Sequence, residues 1–282
     1  MIDGMFGYSF GSVEVGEGEN TATATLVEFK PGALQMNLTL QSKIGLNLLF
    51  TEALSDATVT LDGVTYTVAE LAVKDGYYLL EKAVAPNEAT ATVYFILNWN
   101  GNEHEVPVSI GAYAEALLGS DEHADAHNLA YAMVEYVREI AKDASFLADV
   151  AAPEDYVKET LEAVVPGNGG VLLSEIAFQL DDTIAIAVKG DSAAIDGATV
   201  TLKIGARTES GTVADGKVIF EGLYVNEFIQ DFTVTIGEEI YTYNLANYLD
   251  GLTNDTMISG VQALYNYAFH ADAYVKTLQN AN

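Results

Sequence analysis

Residues 240–279, IYTYNLANYLDGLTNDTMISGVQALYNYAFHADAYVKTLQ, run from a strand-like segment into a short aromatic one, cross a polar turn and enter a long amphipathic helix. The same order of features occurs earlier, at residues 106–147, VPVSIGAYAEALLGSDEHADAHNLAYAMVEYVREIAKDASFL. Working outward from this pair, the rest of the chain divides into two copies of one plan. Val200-Thr201-Leu202 stands where Val59-Thr60-Leu61 stands, and Ala214-Asp215-Gly216 answers Lys74-Asp75-Gly76. Tyr224-Val225-Asn226-Glu227 answers Val84-Ala85-Pro86-Asn87-Glu88. Two strand-rich stretches alike by chance would not also align the helices that follow them.

Within the first copy the pattern is that of strands. Leu34, Met36, Leu38 and Leu40 alternate with Gln35, Asn37, Thr39 and Gln41, the period of two that half-buries a strand. Asp62-Gly63 and Asn100-Gly101 each stand between two apolar runs, which is the signal of a two-residue hairpin turn. About seven short strands at turn-bounded spacing predict an antiparallel sandwich. A helix is expected next, with Leu129, Met133, Tyr136, Val137, Ile140, Ala144 and Leu147 on one face and Ser120 or Asp121 as cap. Pro153, with Glu154 and Asp155 behind it, predicts a second helix running to about residue 165. In the second copy Ile258, Val261, Leu264, Tyr265, Ala268, Val275 and Leu278 form the apolar face, and Asn254 to Thr256 can cap.

The expected fold is therefore mainly β with α: two tandem antiparallel Ig-like β-sandwich modules, each followed by a C-terminal amphipathic helix or helical hairpin. Residues 1–25 read as an N-terminal tail or the remnant of a preceding module. Module 1 takes residues 26–165, its sandwich 26–110 and its helices 111–165. Pro166-Gly167-Asn168-Gly169-Gly170 is the linker, and module 2 takes 171–282, with its sandwich at 171–242 and helices at 243–280.

Charge narrows the partners. Forty-one acidic residues against 12 basic give a net charge of −29, a field that repels nucleic acid and anionic lipid. No apolar run reaches the roughly 18 residues that span a bilayer, so no membrane insertion is expected. Residues 1–25 hold no Lys or Arg and no apolar core segment, so they are not read as a signal peptide. With no cysteine, disulfides, zinc–thiolate sites and cysteine nucleophiles are excluded.

At these same residues the chain resembles a module repeated in large exported proteins of Gram-positive anaerobes. The likeness rests on Leu38-Thr39-Leu40 with the run 44–49, and on the Asp-Gly-Tyr-Tyr segment at 75–78 with Ala-Pro-Asn-Glu at 85–88. It rests too on the closing Y-x-L-x-x-Y-L at 243–249, followed by A-L-x-N-Y-x-x-x-A-x-x-Y at 263–274. The first copy departs from the closing pattern, having Ile110-Gly111-Ala112-Tyr113 and residues 133–136 in its place. The resemblance covers nearly all of residues 26–282. It implies an extracellular or cell-wall-associated, multi-module, non-catalytic setting, with adhesion or spacing as the role and a host glycan or protein as partner. The alternative expectation is a carbohydrate-binding accessory module of an exported enzyme.

The residues that could carry chemistry are few. Gly7-Tyr8-Ser9-Phe10-Gly11 matches the G-x-S-x-G elbow, but it lacks the buried strand before Ser9 and the helix after it that would strain and expose the hydroxyl. No catalytic residue is expected. Asp121, His123, Asp125 and His127 are the densest group of metal-ligand types, and on an α-helix the two histidines would share a face. Calcium is weighed at Asp181, Asp182, Asp191, Asp196 and Asp215, where ordinary turn chemistry is the stronger reading; otherwise no cofactor is expected. Among 16 tyrosines and one tryptophan, Trp99 beside its hairpin turn, with Tyr77 and Tyr78, is the expected sugar-stacking surface.

Overall fold

The protein, seen in a computed structural model, is described at residues 8–9, 34–40, 43–74, 76–164, 166, 170–180 and 182–280. It is mainly β with helices, and the described residues form four antiparallel sheets. The chain divides into two compact units. One comprises Met1–Thr39, Ile44–Val84 and Ala91–Tyr113; the other comprises Leu40–Lys43, Ala85–Thr90 and Ala114–Asn282.

In the first unit the strands are β1 (Tyr8–Ser9), β2 (Leu34–Leu40), β3 (Ile44–Phe50), β4 (Thr58–Leu61), β5 (Val64–Thr67), β6 (Ala72–Lys74), β7 (Tyr77–Val84), β8 (Val93–Trp99) and β9 (Asn102–Val108). They form one sheet ordered β1-β2-β3-β7-β6 and another ordered β5-β4-β8-β9. β3 is buried at every position, as expected of a central strand, whereas β4 and β9 alternate. Both hairpin turns expected from the sequence are present. Asp62-Gly63 and Asn100-Gly101 have positive φ at both residues, the type I′ geometry whose twist matches that of the flanking strands.

The second unit holds helices α1 (Ile110–Leu118, which begins in the first unit), α2 (His127–Ala141), α3 (Ser192–Ile195), α4 (Leu245–Asp250) and α5 (Asp255–Asn280). Its strands are β10 (Leu173–Gln179), β11 (Ala185–Gly190), β12 (Thr199–Ile204), β13 (Arg207–Thr212), β14 (Lys217–Phe220), β15 (Phe232–Ile236) and β16 (Glu239–Tyr243). These pair as β10-β11-β14 and β13-β12-β15-β16. The Phe178 ring from the first sheet meets Phe232 of the second edge-on at 5.9 Å, and a Cβ on Gly211 would lie 2.5 Å from Val218. Apolar side chains of the two sheets therefore meet.

α2 and α5 lie against each other, joined by the stacked rings of Tyr136 and Tyr267, whose centroids are 5.5 Å apart. Each also packs on a 3-10 turn that leads into a four-stranded sheet: α2 on Pro86–Glu88, α5 on Val225–Ile229. Of the expected α5 face, Val261, Leu264, Ala268 and Val275 are buried, while Ile258 and Tyr265 are half-buried. The side chain of Leu278 lies outside the description. Asn254 caps this helix as expected, accepting from the backbone N–H groups of Thr256 and Met257.

Two helical expectations are corrected. α2 stops at Ala141 because Lys142 turns left-handed (φ 55°) and Asp143 N–H returns to the Arg138 carbonyl, so Ala144 and Leu147 fall beyond the helix. The Arg138 guanidinium then seals the turn by donating to the carbonyls of Phe146 and Leu147. The second helix expected from Pro153 is absent. Pro153 opens a single turn, closed by Tyr156 N–H, and residues 157–164 run on with no regular secondary structure. The helix-start signals were present in the sequence, but β-branched Val157, Thr160 and Val164 favour helix only weakly. Side chains of α4 and α5 claim the backbone groups that a helix would have used.

Candidate functional site

The segment 156–164 forms a strap, and its main chain is held almost entirely by side chains. His270 Nε2 lies 3.0 Å from the Val157 carbonyl and must carry the proton, because a carbonyl can only accept. Asn266 Oδ1 accepts from Glu159 N–H at 2.8 Å. Asn244 Nδ2 donates to the Glu162 carbonyl at 3.0 Å, and Asn247 Nδ2 to the Val164 carbonyl at 2.9 Å. The spacing has a geometric cause. Four residues of helix rise by roughly 6 Å and two residues of extended chain by roughly 6.6 Å. Asn266 and His270, four apart on α5, therefore meet strap residues two apart.

The three asparagines are also held by bonds outside the strap. Asn266 Nδ2 donates to the Gln262 carbonyl one turn back, which directs its oxygen at the strap. Asn244 and Asn247 form a reciprocal capping box at the start of α4. Asn244 also donates to Asp231 at 2.9 Å. Asn244, Asn266 and His270 are all buried, where an unmade hydrogen bond is costly, so the strap satisfies groups that would otherwise be stranded.

Tyr156 anchors the strap at its start. Its ring stacks on His270 at 4.8 Å and meets Tyr131 of α2 edge-on at 4.7 Å. Burial, helped by the nearby charge of Glu135, pushes its phenol well above the ordinary tyrosine value, so it stays protonated. Lys158 reaches Glu135 at 3.1 Å, and Arg138 holds the same carboxylate at 2.8 Å. Burial alone would raise the pKa of Glu135. The hydrogen bonds and charges of Lys158 and Arg138 outweigh it and hold the carboxyl below its usual range. The pKa of His270 is lowered as well, but by burial, which the Val157 bond and the charges of Glu159 and Asp155 only partly offset.

Beside the strap lies a cavity of about 290 Å³. Leu161, Leu245, Leu249 and Val261 supply its apolar walls, and Glu135, Glu139, Lys158 and Glu159 its charged ones. Such a space admits a small ligand or one long side chain.

The residues singled out from the sequence lie elsewhere. Tyr77 and Tyr78 sit half-buried on β7 in the five-stranded sheet, whereas Trp99 ends β8 in the four-stranded one. Tyr77 and Tyr78 are successive strand residues and so face opposite ways, which divides the expected stacking surface. Residues 121–126 form a 3-10 helix rather than an α-helix. The expectation of a shared face for His123 and His127 assumed an α-helix, and this backbone is not one. Asp121 and Asp125 are exposed, and His127 Nε2 lies 3.0 Å from the Ser120 carbonyl; the side chain of His123 is outside the described residues. Ser120 makes no side-chain cap.

Among the described residues, no group of three metal-ligating side chains comes together. Asp181 lies outside them. Asp191 caps α3 through Ala193 N–H, Asp196 accepts from Gly216 N–H, and Asp182 accepts from Asn87. Asp215 occupies a left-handed turn position. Most of the Gly7–Gly11 match, including both glycines, also falls outside the described residues.

The sequence reading passed over Asn244, Asn247, Asn266 and His270. The available signal was two polar residues at helical spacing inside an otherwise apolar stretch, Asn266 and His270. Compared with protein-family models, with curated proteins and with solved structures, the chain matches none.

Proposed function

We propose that the chain is a pair of tandem Ig-like β-sandwich modules, each completed by a C-terminal helix, and that it serves as a non-catalytic adhesive or spacing part of an exported surface protein. The observation that carries this reading is the repeated strand order. A hairpin joined through its first strand to a second hairpin builds β5-β4-β8-β9, and the same connection builds β13-β12-β15-β16. Surface proteins reach outward by repeating one domain, and the resemblance of residues 26–282 to a repeated exported module points the same way. In this reading the partner is a glycan or a protein, and the acidic surface keeps the chain clear of anionic polymers.

Surface-immobilised protein exposed to a panel of purified polysaccharides and extracellular-matrix proteins tests the reading. Saturable binding to a matrix protein, unchanged in Trp99→Ala, supports adhesion. Binding of a polysaccharide that is lost in Trp99→Ala moves the assignment to a carbohydrate-binding accessory module. Turnover of ester, peptide or glycoside substrates by the intact protein would sink the non-catalytic reading.

A further inference from the structure

We propose that the strap is an acid-released clamp: protonation of His270 undocks residues 156–164 from α4 and α5 and opens the cavity beside them. The geometry places one titratable ring at the strap's entry. His270 is only 6 % exposed, its Nε2–H is committed to the Val157 carbonyl, Tyr156 stacks on one face, and Phe269 meets it edge-on at 5.3 Å. A second proton adds a charge and a second donor to a ring with almost no access to water, and water is available once the strap lifts.

The charges bearing on the ring come from a few elements. Glu159 of the strap and Asp155, in the turn just before it, favour the imidazolium, and Glu159 acts on it from the segment that must leave. From α2 come Tyr131, edge-on to Tyr156, and Glu135, which pairs with Lys158 of the strap. On α5 itself Asp272 is occupied by Lys276 at 2.6 Å.

The strap is built to lift as a unit. Val157 is 55 % exposed, and Lys158, Thr160, Glu162 and Ala163 also face solvent. Docking therefore rests on Tyr156, the Lys158–Glu135 pair and the main-chain bonds rather than on a deep apolar core. Segments of this kind open at a small fraction of the global unfolding free energy. Release would bare Asn244, Asn247, Asn266 and His270, a row already set at the spacing of an extended backbone.

Amide hydrogen exchange read residue by residue tests this in the intact protein at about pH 7 and about pH 5.5, a window in which carboxylates stay ionised. After correction for intrinsic rates, protection at Glu159, the strap amide that donates to Asn266, should fall about threefold or more. Protection at Leu264 and Ala268 in α5 should hold. In His270→Gln, which keeps a donor but cannot titrate, strap protection should be equal at the two pH values. Strap protection in the natural protein that does not change with pH, or that falls equally in the variant, overturns the proposal. Should the variant fail to fold, the imidazole titration of His270 by NMR decides in the natural protein: a pKa at or above the ordinary histidine value overturns it, and one clearly below supports it.

Discussion

Tyr136 of α2 and Tyr267 of α5 stack on each other, and counting outward from them sets the two helices side by side. One residue before each tyrosine stand Glu135 and Asn266; three residues after stand Glu139 and His270; three before stand Met133 and Leu264, both buried. Equivalent residues meeting each other is the signature of a two-fold contact, here formed between two stretches of one chain. What differs is how the equivalent positions treat the strap. Glu135 takes the Lys158 side chain by charge, while Asn266 takes the Glu159 backbone by a neutral hydrogen bond. The packing positions are apolar in both helices, and the polar positions beside them hold one segment in two different ways.

The largest effect expected from this comparison is at the tyrosines. Tyr136→Ala and Tyr267→Ala should each cost about 3–5 kcal/mol, the range for emptying a buried aromatic site. If the rings stabilise each other, the double variant should cost less than the sum of the two singles, by roughly 0.5–1.5 kcal/mol. Strict additivity in denaturant melts would mean that each ring packs independently and that the pseudo-two-fold contact is geometric only.

A smaller difference is expected at the caps that start the short helices. Ser109 accepts from Ala112 N–H at 3.1 Å at the start of α1, as Asn244 accepts from Asn247 N–H at 3.0 Å at the start of α4. Ile110 and Leu245, which follow the caps, are both buried. Ser109→Ala should cost about 1 kcal/mol, the usual value of a cap. Asn244→Ala removes the cap and the bonds to Asp231 and Glu162 as well, so a loss of roughly 2–3 kcal/mol is expected. Equal losses in thermal melts would show that Asn244 holds nothing through the strap.

The sequence carried the strands and the long helices because their signals are local. Leu34 to Leu40 alternates, Asn100-Gly101 can hardly be other than a turn, and Leu264 and Ala268 lie on one helical face. The strap was misread because its signals are local too, and they pointed to a helix. Pro153 with two acids behind it begins a helix unless something distant takes the backbone, and Asn266, about a hundred residues on, does so. The 3-10 backbone at 121–126 escaped for a related reason, since no residue in DEHADA distinguishes three residues per turn from 3.6. The site is thus legible only where tertiary contacts are.

Acid should separate the two helices further. The Glu135 carboxyl has a pKa held below its unfolded value, so its contribution is present above the unfolded carboxylate range and is lost as pH falls through its lowered folded value. Asn266, at the equivalent place, does not titrate. Stability measured from about pH 7 to about pH 3 should therefore decline less in Glu135→Gln than in the natural protein, with a difference of about 1 kcal/mol, as for a single partly exposed pair. Curves that run parallel across this range would mean that Lys158 and Arg138 add nothing net to folding.

The smallest difference expected is between two turns, which close two hairpins by different routes. β4 and β5 are joined by Asp62-Gly63, with positive φ at both residues. β12 and β13 are joined by Gly205-Ala206, where only the first residue has positive φ, the order of a type II′ turn. The same change recurs between Asn100-Gly101 and Gly237-Glu238. Both turn types carry the twist that antiparallel strands require, so two-residue loops close both hairpins although the glycine stands second in one and first in the other. An added Cβ at Gly63 meets nothing within 4 Å, so Gly63→Ala should cost only the left-handed backbone, about 1 kcal/mol. At Gly205 the Cβ would also come within 2.4 Å of Gln230 Oε1, the far end of a flexible side chain, so Gly205→Ala should cost somewhat more. Gly205→Ala with Gln230→Ala should then return to about the Gly63→Ala value. If it does not, Gly205 is needed for its backbone geometry beyond what the turn type explains, and the two turns are not interchangeable.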